Sequence, residues 1–570
     1  MQTPAELRDF PDFVGGVMAR WHVPGVAVAI ARNGELVLCE GFGLRDVARG
    51  LPVTSRSLFA IGSATKAFTT MGLALLADEG KVDWDTPVRR YLPSFALHDP
   101  FASERITPRD LVTHRSGLPR HDALWYGGAL SRAELVDRLR YLEPSKDFRA
   151  VWQYQNLMYM TAGYLTGELA GTTWEGFVQE RIFDRLGMGG SNFSVTRSQQ
   201  AEDAARPYRE KDGQAEELPF RDLDAVGPAG SINSNAEDMV KWLLLHLNRG
   251  RHDGEAVVSE GQIAQMQAPQ MVMPDPAKYA ELSPASYGLG WFVQTYRGHS
   301  VVHHGGNIDG FSALVSLLPR EKIGVVVLTN LNGVPVPEVV ALQVYDRLLG
   351  LPEISWDDRF FAEQEERKQA GERGTEKAET DRVKGTHPSH DLDAYAGDYA
   401  HPGYGVAAVE RRGDGLSLRF NAFEGPLRHL HYDVFDFTID LFETRFTVSF
   451  ATDVRGDIAS FATPLEPTVP DVVFLRRPGA ELTEPSFLSR FAGTFEVMGM
   501  RLTVALKGER TLQVSLPGQP DFELEPVKGT GFRLKGLSGF AIEFTIDETG
   551  AVVGALLTQP NGVFTARKTG

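Results

Sequence analysis

The 570-residue chain contains a single cysteine, Cys39, and that scarcity excludes several architectures at once. No internal disulfide framework can form, and a cysteine-based metal cluster would lack its second thiolate; the usage fits a reducing compartment. Long apolar runs are also missing, since no stretch reaches the ~18 uncharged apolar residues of a membrane helix. The opening MQTPAELRDFPDFVGGVMARWH has no basic cluster followed by an apolar run and no small-residue cleavage pattern, so a cytoplasmic protein without a membrane partner is expected. Positive charge is the minority sign. With 58 Lys and Arg against 75 Asp and Glu, the net of −17 argues against nucleic acid or an anionic membrane as the main partner. No Gly-rich phosphate loop, HExxH helix or paired Cys or His spacing is present, so no metal is expected and catalysis should need no cofactor.

What the chain does have is ordinary globular composition, 42% hydrophobic and 23% charged, over a length that exceeds the ~250–300 residues one core usually serves. From Val23 to Gly350 two periodicities alternate. VAVAIARNGELVLCEGFG reads as a β-hairpin around Asn33-Gly34, and TTMGLALLADEG as a helix ending at Gly80. ALVSLLP and IGVVVLTN are strands flanking a turn at Glu321-Lys322. Strands at both ends with helices between predict an α+β domain, one sheet with a helical insertion, over residues 1–360. Residues 361–390 turn charged and nearly free of large apolar side chains, as expected of a linker with helix at its start.

Beyond it the pattern is all-β, with short alternating runs such as GLSLRF, RFTVSF, RLTVAL and AIEFTI between Gly, Asp and Pro turns. This part repeats itself: Tyr395-Ala396-Gly397-Asp398-Tyr399 is echoed 96 residues on by Phe491-Ala492-Gly493-Thr494-Phe495. Each copy precedes seven or eight strand-like runs, enough to close a small barrel. Two small antiparallel, lipocalin-like barrels are therefore expected, over 391–480 and 481–570, in preference to one shared sandwich or barrel.

Three segments carry chemistry. In AIGSATKAFTTMGLALLADEG, Ser63 and Lys66 stand three apart at the head of an apolar-periodic helix, which puts both on one face. A hydroxyl needs a base to become a nucleophile, and an amine serves as one when burial or nearby charge lowers its pKa. By itself such a pair is commonplace on solvated helices. In VWQYQNLMYMTAGYL, Tyr154 and Asn156 precede a helix and, from an extended segment, point the same way; a phenol can relay a proton and an amide can bond both lysine and substrate. In VVHHGGNIDGFSALVSLLP, histidines and glycines on an edge strand leading into a hairpin would let a substrate backbone approach closely.

In order and spacing, Ser63-Ala64-Thr65-Lys66, Tyr154-Gln155-Asn156 and His304-Gly305-Gly306 resemble the Ser-x-x-Lys, Tyr-x-Asn and Lys-Thr-Gly or His-x-Gly set of class C β-lactamases, penicillin-binding proteins, D-aminopeptidases and related esterases. ITPRDLVTHRSGLPRH, PAGSINSNAEDMVKWLL and SYGLGWF extend the likeness, which runs from about Val23 to Leu351. The resemblance implies a β-lactamase-like domain with one or two β-barrels behind it, and a serine hydrolase working through an acyl-enzyme on Ser63. It implies Lys66, Tyr154 and His304 as catalytic partners, with His303 as the reserve for His304. It also implies Asn156, Gly305, Gly306 and Asn307 in substrate and oxyanion binding, the oxyanion hole being the amides of Ser63 and Asn307. Whether Lys66 or Tyr154 is the base stays open. A histidine where β-lactamases have lysine is closer to the D-aminopeptidase and esterase branches. The expected substrates are small peptides or amides with a D-residue, or small esters. A β-lactamase or slowly turning-over penicillin-binding sensor, an acyltransferase or cyclising enzyme, and a homo-oligomeric state remain open alternatives.

Overall fold

Asn33 and Gly34 turn the chain with φ of +57° and +85°, the left-handed pair that a tight hairpin needs. They join β1 (Gly25–Arg32) to β2 (Glu35–Asp46). The computed structural model describes residues 4–380, 382–439, 444–537 and 539–570. Before the hairpin lies α1 (Phe10–Arg20), and after it α2 (Thr65–Asp78), which stops at Gly80 with φ +69°. The chain then runs through a helical insertion that includes α3 (Asn156–Ala170) and α4 (Ala236–Leu247). It returns to the sheet as β3 (Phe292–Tyr296), β4 (His299–Ile308), β5 (Phe311–Leu318) and β6 (Ile323–Thr329), followed by α5 (Val336–Leu349).

β6 closes the domain by pairing antiparallel with β1, Val28 opposite Val327, so strands from the two ends of the domain are neighbours. The full order is Met271–Val272, Ser286–Tyr287, β3, β4, β5, β6, β1, β2 and Leu51–Pro52. α4 and α5 both pack on β6, and every residue of β5 and β6 is buried. A strand covered on both faces must be apolar throughout, which explains why ALVSLL and IGVVVLT lack alternation. The core joins Phe10, Val14 and Trp21 of the first helix region to Val26, Val28 and Ile30 of β1 and to Val340, Val344 and Tyr345 of α5.

The motif strand is not a simple edge strand. β4 pairs with β5 from Val302 to Ile308 and with β3 from His299 to His303, so only Val302 and His303 are paired on both sides. From His304 onward its β3 side is unpaired, because β3 begins at Phe292, so the segment that carries the motif is an edge.

The charged stretch from 361 continues a helix, α6 (Trp356–Thr380), whose first turns are anchored. Phe361 packs edge-on against Trp21, and Arg20 pairs with Asp357 and Asp358. Residue 381 of the expected linker, and the side chains of 372–380, lie outside the described residues. Among those described, no helix is long and apolar enough to cross a membrane.

The chain divides into two compact units. The first comprises Met1–Arg382 together with Leu465–Pro470; the second comprises Val383–Pro464 and Asp471–Gly570. The second unit holds two closed eight-stranded antiparallel barrels, running from Gly397–His401 to Val472–Arg476 and from Gly493–Val497 to Gly562–Lys568. The repeated glycines begin both barrels with nearly the same φ, +151° at Gly397 and +152° at Gly493, a value that side-chain-bearing residues avoid. Aromatic rings fill the first barrel, Phe461 stacking on Phe474 at 4.9 Å beside Phe450 and Tyr399. Phe491, Phe495, Phe532 and Phe544 play that part in the second.

Candidate active site

Ser63 sits in a 3-10 turn, Gly62–Ala64, that feeds directly into α2. One helical turn on, Lys66 is wholly buried. Its Nζ has three oxygen neighbours: Ser63 Oγ at 3.0 Å, Asn156 Oδ1 at 2.8 Å and the Ala229 carbonyl at 2.8 Å. Two of these can only accept, and the amide of Asn156 is oriented by its Nδ2 donating to Asp122 Oδ1 at 3.1 Å. A neutral amine has two N–H groups and one lone pair. Donating to Asn156 and Ala229 leaves that lone pair for the Ser63 hydroxyl. Burial, and next the positive charge of Arg120, push the Lys66 pKa well below its ordinary value, with Asp122 opposing.

Tyr154 completes the cluster, its ring centroid 4.7 Å from Lys66 Nζ. Burial raises its pKa, so it is a phenol in the resting site, although Ser63 and Arg120 pull the other way. The Tyr154 segment is held from both sides by His114, whose Nδ1 accepts from Gln155 N at 3.0 Å and whose carbonyl accepts from Gln153 N at 2.7 Å. The His114 ring packs on Tyr154 at 4.4 Å, and burial keeps it neutral. Gln155, not Asn156, caps α3, accepting from Leu157 N. That leaves Asn156 free to face Lys66.

Glycines bring β4 against the Ser63 turn. A Cβ on Gly306 would lie 1.9 Å from the Ile61 carbonyl and 3.0 Å from Ser63 N, and one on Gly62 would lie 3.0 Å from Asn307 N. The Ser63 and Asn307 amides are therefore on directly facing segments, as two oxyanion donors must be. Gly305 faces away, toward Glu338. The Asn307 side chain is tied back, its Oδ1 accepting from Ser312 Oγ at 2.6 Å and Gly333 N at 3.2 Å, which leaves its backbone to do any binding.

His304 is buried, 1% exposed, with Nε2 2.9 Å from the Tyr287 hydroxyl and Nδ1 2.6 Å from the Gly305 carbonyl. Burial, then Lys66, push its pKa down to about 3, so it is a neutral, hydrogen-bonded group. His303 is half-buried and stacked on Phe292 at 5.5 Å. Of the two, His304 is the one linked to the site, through Tyr287 and Tyr159.

Four residues near the cluster carry no sequence assignment: His114, Arg120, Asp122 and Tyr287. Arg120 stands 5.2 Å over the Tyr154 ring and pairs with Asp122. His121 between them has φ +48°, and its N–H donates to Glu466 Oε2 at 3.1 Å. Glu466 belongs to Leu465–Pro470, the segment that joins the first unit from far along the chain. His114, Arg120 and Tyr287 lie inside ITPRDLVTHRSGLPRH and SYGLGWF, stretches whose likeness was visible without a role. Nothing local signals Glu466. Among the described residues no group of three or more His, Cys, Asp or Glu is placed to hold a metal ion.

Comparison with known proteins bears on this geometry. The Beta-lactamase family model matches residues 10–348, and that of a domain of unknown function, DUF3471, matches residues 381–474. Unguisins hydrolase ungD' of Aspergillus campestris is 33% identical over 338 residues, covering 57% of this chain and 61% of that protein, so the match spans about three fifths of the relative's length. Among solved structures, the octameric penicillin-binding protein homologue from Pyrococcus abyssi is 24% identical with a TM-score of 0.53, over 81% of this chain and 98% of that one. D-amino acid amidase from Ochrobactrum anthropi SV3 is 23% identical with a TM-score of 0.50, over 60% and 98%. At these identities the two structures establish the shared fold.

Proposed function

Because the chain belongs to the Beta-lactamase family of serine hydrolases, we propose that it cleaves peptides or amides containing a D-residue, or small esters, through an acyl-enzyme on Ser63. The observation that carries the reading is the placement of the buried Lys66 Nζ 3.0 Å from Ser63 Oγ, with the Asn156 and Ala229 carbonyl oxygens as its other neighbours.

Ser63 Oγ attacks the substrate carbonyl as its proton passes to Lys66 Nζ, and the oxyanion that forms accepts from the Ser63 and Asn307 amides. Lys66 is the better base of the two candidates, since its pKa is lowered while that of Tyr154 is raised. Tyr154 relays the proton to the departing amine or alcohol, giving the acyl-enzyme. Water then attacks the acyl carbon, losing its proton by the same route, and Ser63 Oγ takes a proton back as the acid leaves. Asn156 and Gly306 orient the substrate, whereas Gly305, which faces Glu338, takes no such part.

A D-residue amide is favoured over a β-lactam because the third motif supplies no positive charge. His304 is neutral and engaged at both nitrogens, which suits a substrate without a carboxylate on that side. The D-amino acid amidase neighbour motivates the D-residue reading, and the unguisins hydrolase relative the hydrolase reading. The octameric neighbour motivates a homo-oligomeric assembly, and the sequence reading a cytoplasmic location. The test is a panel of D- and L-aminoacyl amides, p-nitrophenyl esters and a chromogenic β-lactam, with mass spectrometry of the trapped intermediate. Turnover of D-amides or esters with an adduct on Ser63 is expected. An adduct on another residue, or turnover of the β-lactam alone, overturns the proposal.

A further inference from the structure

The contacts around Ser63 close into a ring. Ser63 meets Lys66, Lys66 meets Asn156, and Asn156 Nδ2 donates to Asp122 Oδ1, which also accepts from Trp125 Nε1 at 3.0 Å. The next residue, Tyr126, donates its hydroxyl to Asp309 Oδ2. Asp309 lies two residues beyond Asn307, whose amide faces the Ser63 turn and so completes the circuit. Every link but one belongs to the machinery already described or to its direct support. The exception joins Tyr126, on the wall that carries Asn156 and Asp122, to the β4–β5 turn on the opposite wall.

That link is built to hold. Asp309 Oδ2 also accepts from Arg221 Nε at 3.0 Å, and the Arg221 guanidinium lies 5.0 Å over the Tyr126 ring. The Asp309 and Arg221 side chains are mostly buried, 11% and 18% exposed. Three residues from three separate segments thus meet at one carboxylate. A phenol donating to a carboxylate makes a charge-assisted bond, and the arginine offsets the buried charge.

We propose that Tyr126, Asp309 and Arg221 form a clasp between the two walls of the site, and that this clasp sets the bulk of the group admitted beside Ser63. The inference rests on the acyl-enzyme reading of Ser63. A carbonyl bound between the Ser63 and Asn307 amides lies inside the ring, so whatever it carries toward Tyr126 is limited by the clasp's closure. Loosening one hydrogen bond enlarges the opening without touching the nucleophile, base or oxyanion donors. Such a residue governs selectivity rather than rate.

The experiment uses the full-length protein and two fluorophosphonates, one with a methyl group and one with a bulky aryl-alkyl group, and reads the second-order rate of adduct formation on Ser63. Tyr126→Phe removes only the hydroxyl and is the decisive variant; Asp309→Asn is the second. Both should raise the bulky-to-small rate ratio about tenfold, in the range one steric contact discriminates, while the small probe reacts as in the wild type and the variants melt cooperatively. An unchanged ratio in folded variants overturns the clasp alone, as does a parallel fall in both rates. Absence of any Ser63 adduct in the wild type overturns the serine-hydrolase reading and the clasp with it.

Discussion

Asn156 Oδ1 accepts from Lys66 Nζ at 2.8 Å across 90 residues of sequence, and this contact ties two of the three motifs together. It takes up one N–H of a buried amine, the Ala229 carbonyl takes the other, and the remaining position faces Ser63. Burial, and next the positive charge of Arg120, disfavour the ammonium form here, so the environment favours the free base.

Lys66→Met should abolish turnover and stabilise the fold. The sign follows from linkage: the Lys66 pKa is lowered in the native state, so below the unfolded value of ~10.4 the unfolded chain binds the extra proton and stability falls with falling pH. Methionine has no such dependence. Thermal melts from pH 6 to 10 should therefore show the variant's advantage shrinking as pH rises; a constant advantage would mean that Lys66 is not the depressed group.

Tyr154→Phe and Lys66→Ala should each slow acylation by roughly 10²-fold or more. Because the proposed mechanism routes the proton of Ser63 through both Lys66 and Tyr154, the losses should not add. Single-turnover kinetics of the double variant decide the matter: a rate equal to the product of the two separate losses would break the shared path.

Gly306→Ala should act on the oxyanion hole. Its Cβ would overlap the Ile61 carbonyl, so β4 must move away from the Ser63 turn and carry the Asn307 amide with it. Losing one such donor costs about 10²–10³ in kcat. Comparing kcat with KM tests this, since a purely structural effect would appear as a lower melting temperature with kcat intact.

Glu466→Ala should change selectivity and spare the nucleophile. The carboxylate accepts from the amide of His121, which is held at φ +48° between Arg120 and Asp122. Releasing that backbone should shift the kcat/KM ratio between a small ester and a D-residue amide by about tenfold, equivalent to ~1.4 kcal/mol. Equal losses on both substrates would assign Glu466 to stability instead.

The sequence by itself determined the parts set by short-range rules. Asn33-Gly34 specified a hairpin because few other pairs tolerate two left-handed residues, and the three-residue spacing of Ser63 and Lys66 placed them on one face because α2 follows immediately. The repeated Ala-Gly pair announced two barrels, because each opens on a glycine at φ near +150°. Tertiary structure alone decided the rest. That β4 is paired on both sides at Val302 and His303 and is an edge from His304 depends on where β3 begins, a partner choice invisible in the strand's own residues. That His304 is neutral depends on burial and on Lys66, brought to it from a distant helix, and that α6 extends into the charged stretch depends on Trp356 and Phe361 docking at its start. Glu466 reaches His121 across 345 residues of chain. Local pattern encodes backbone conformation, whereas charge state and pocket shape are sums over neighbours brought together by folding, and no window of sequence contains those sums.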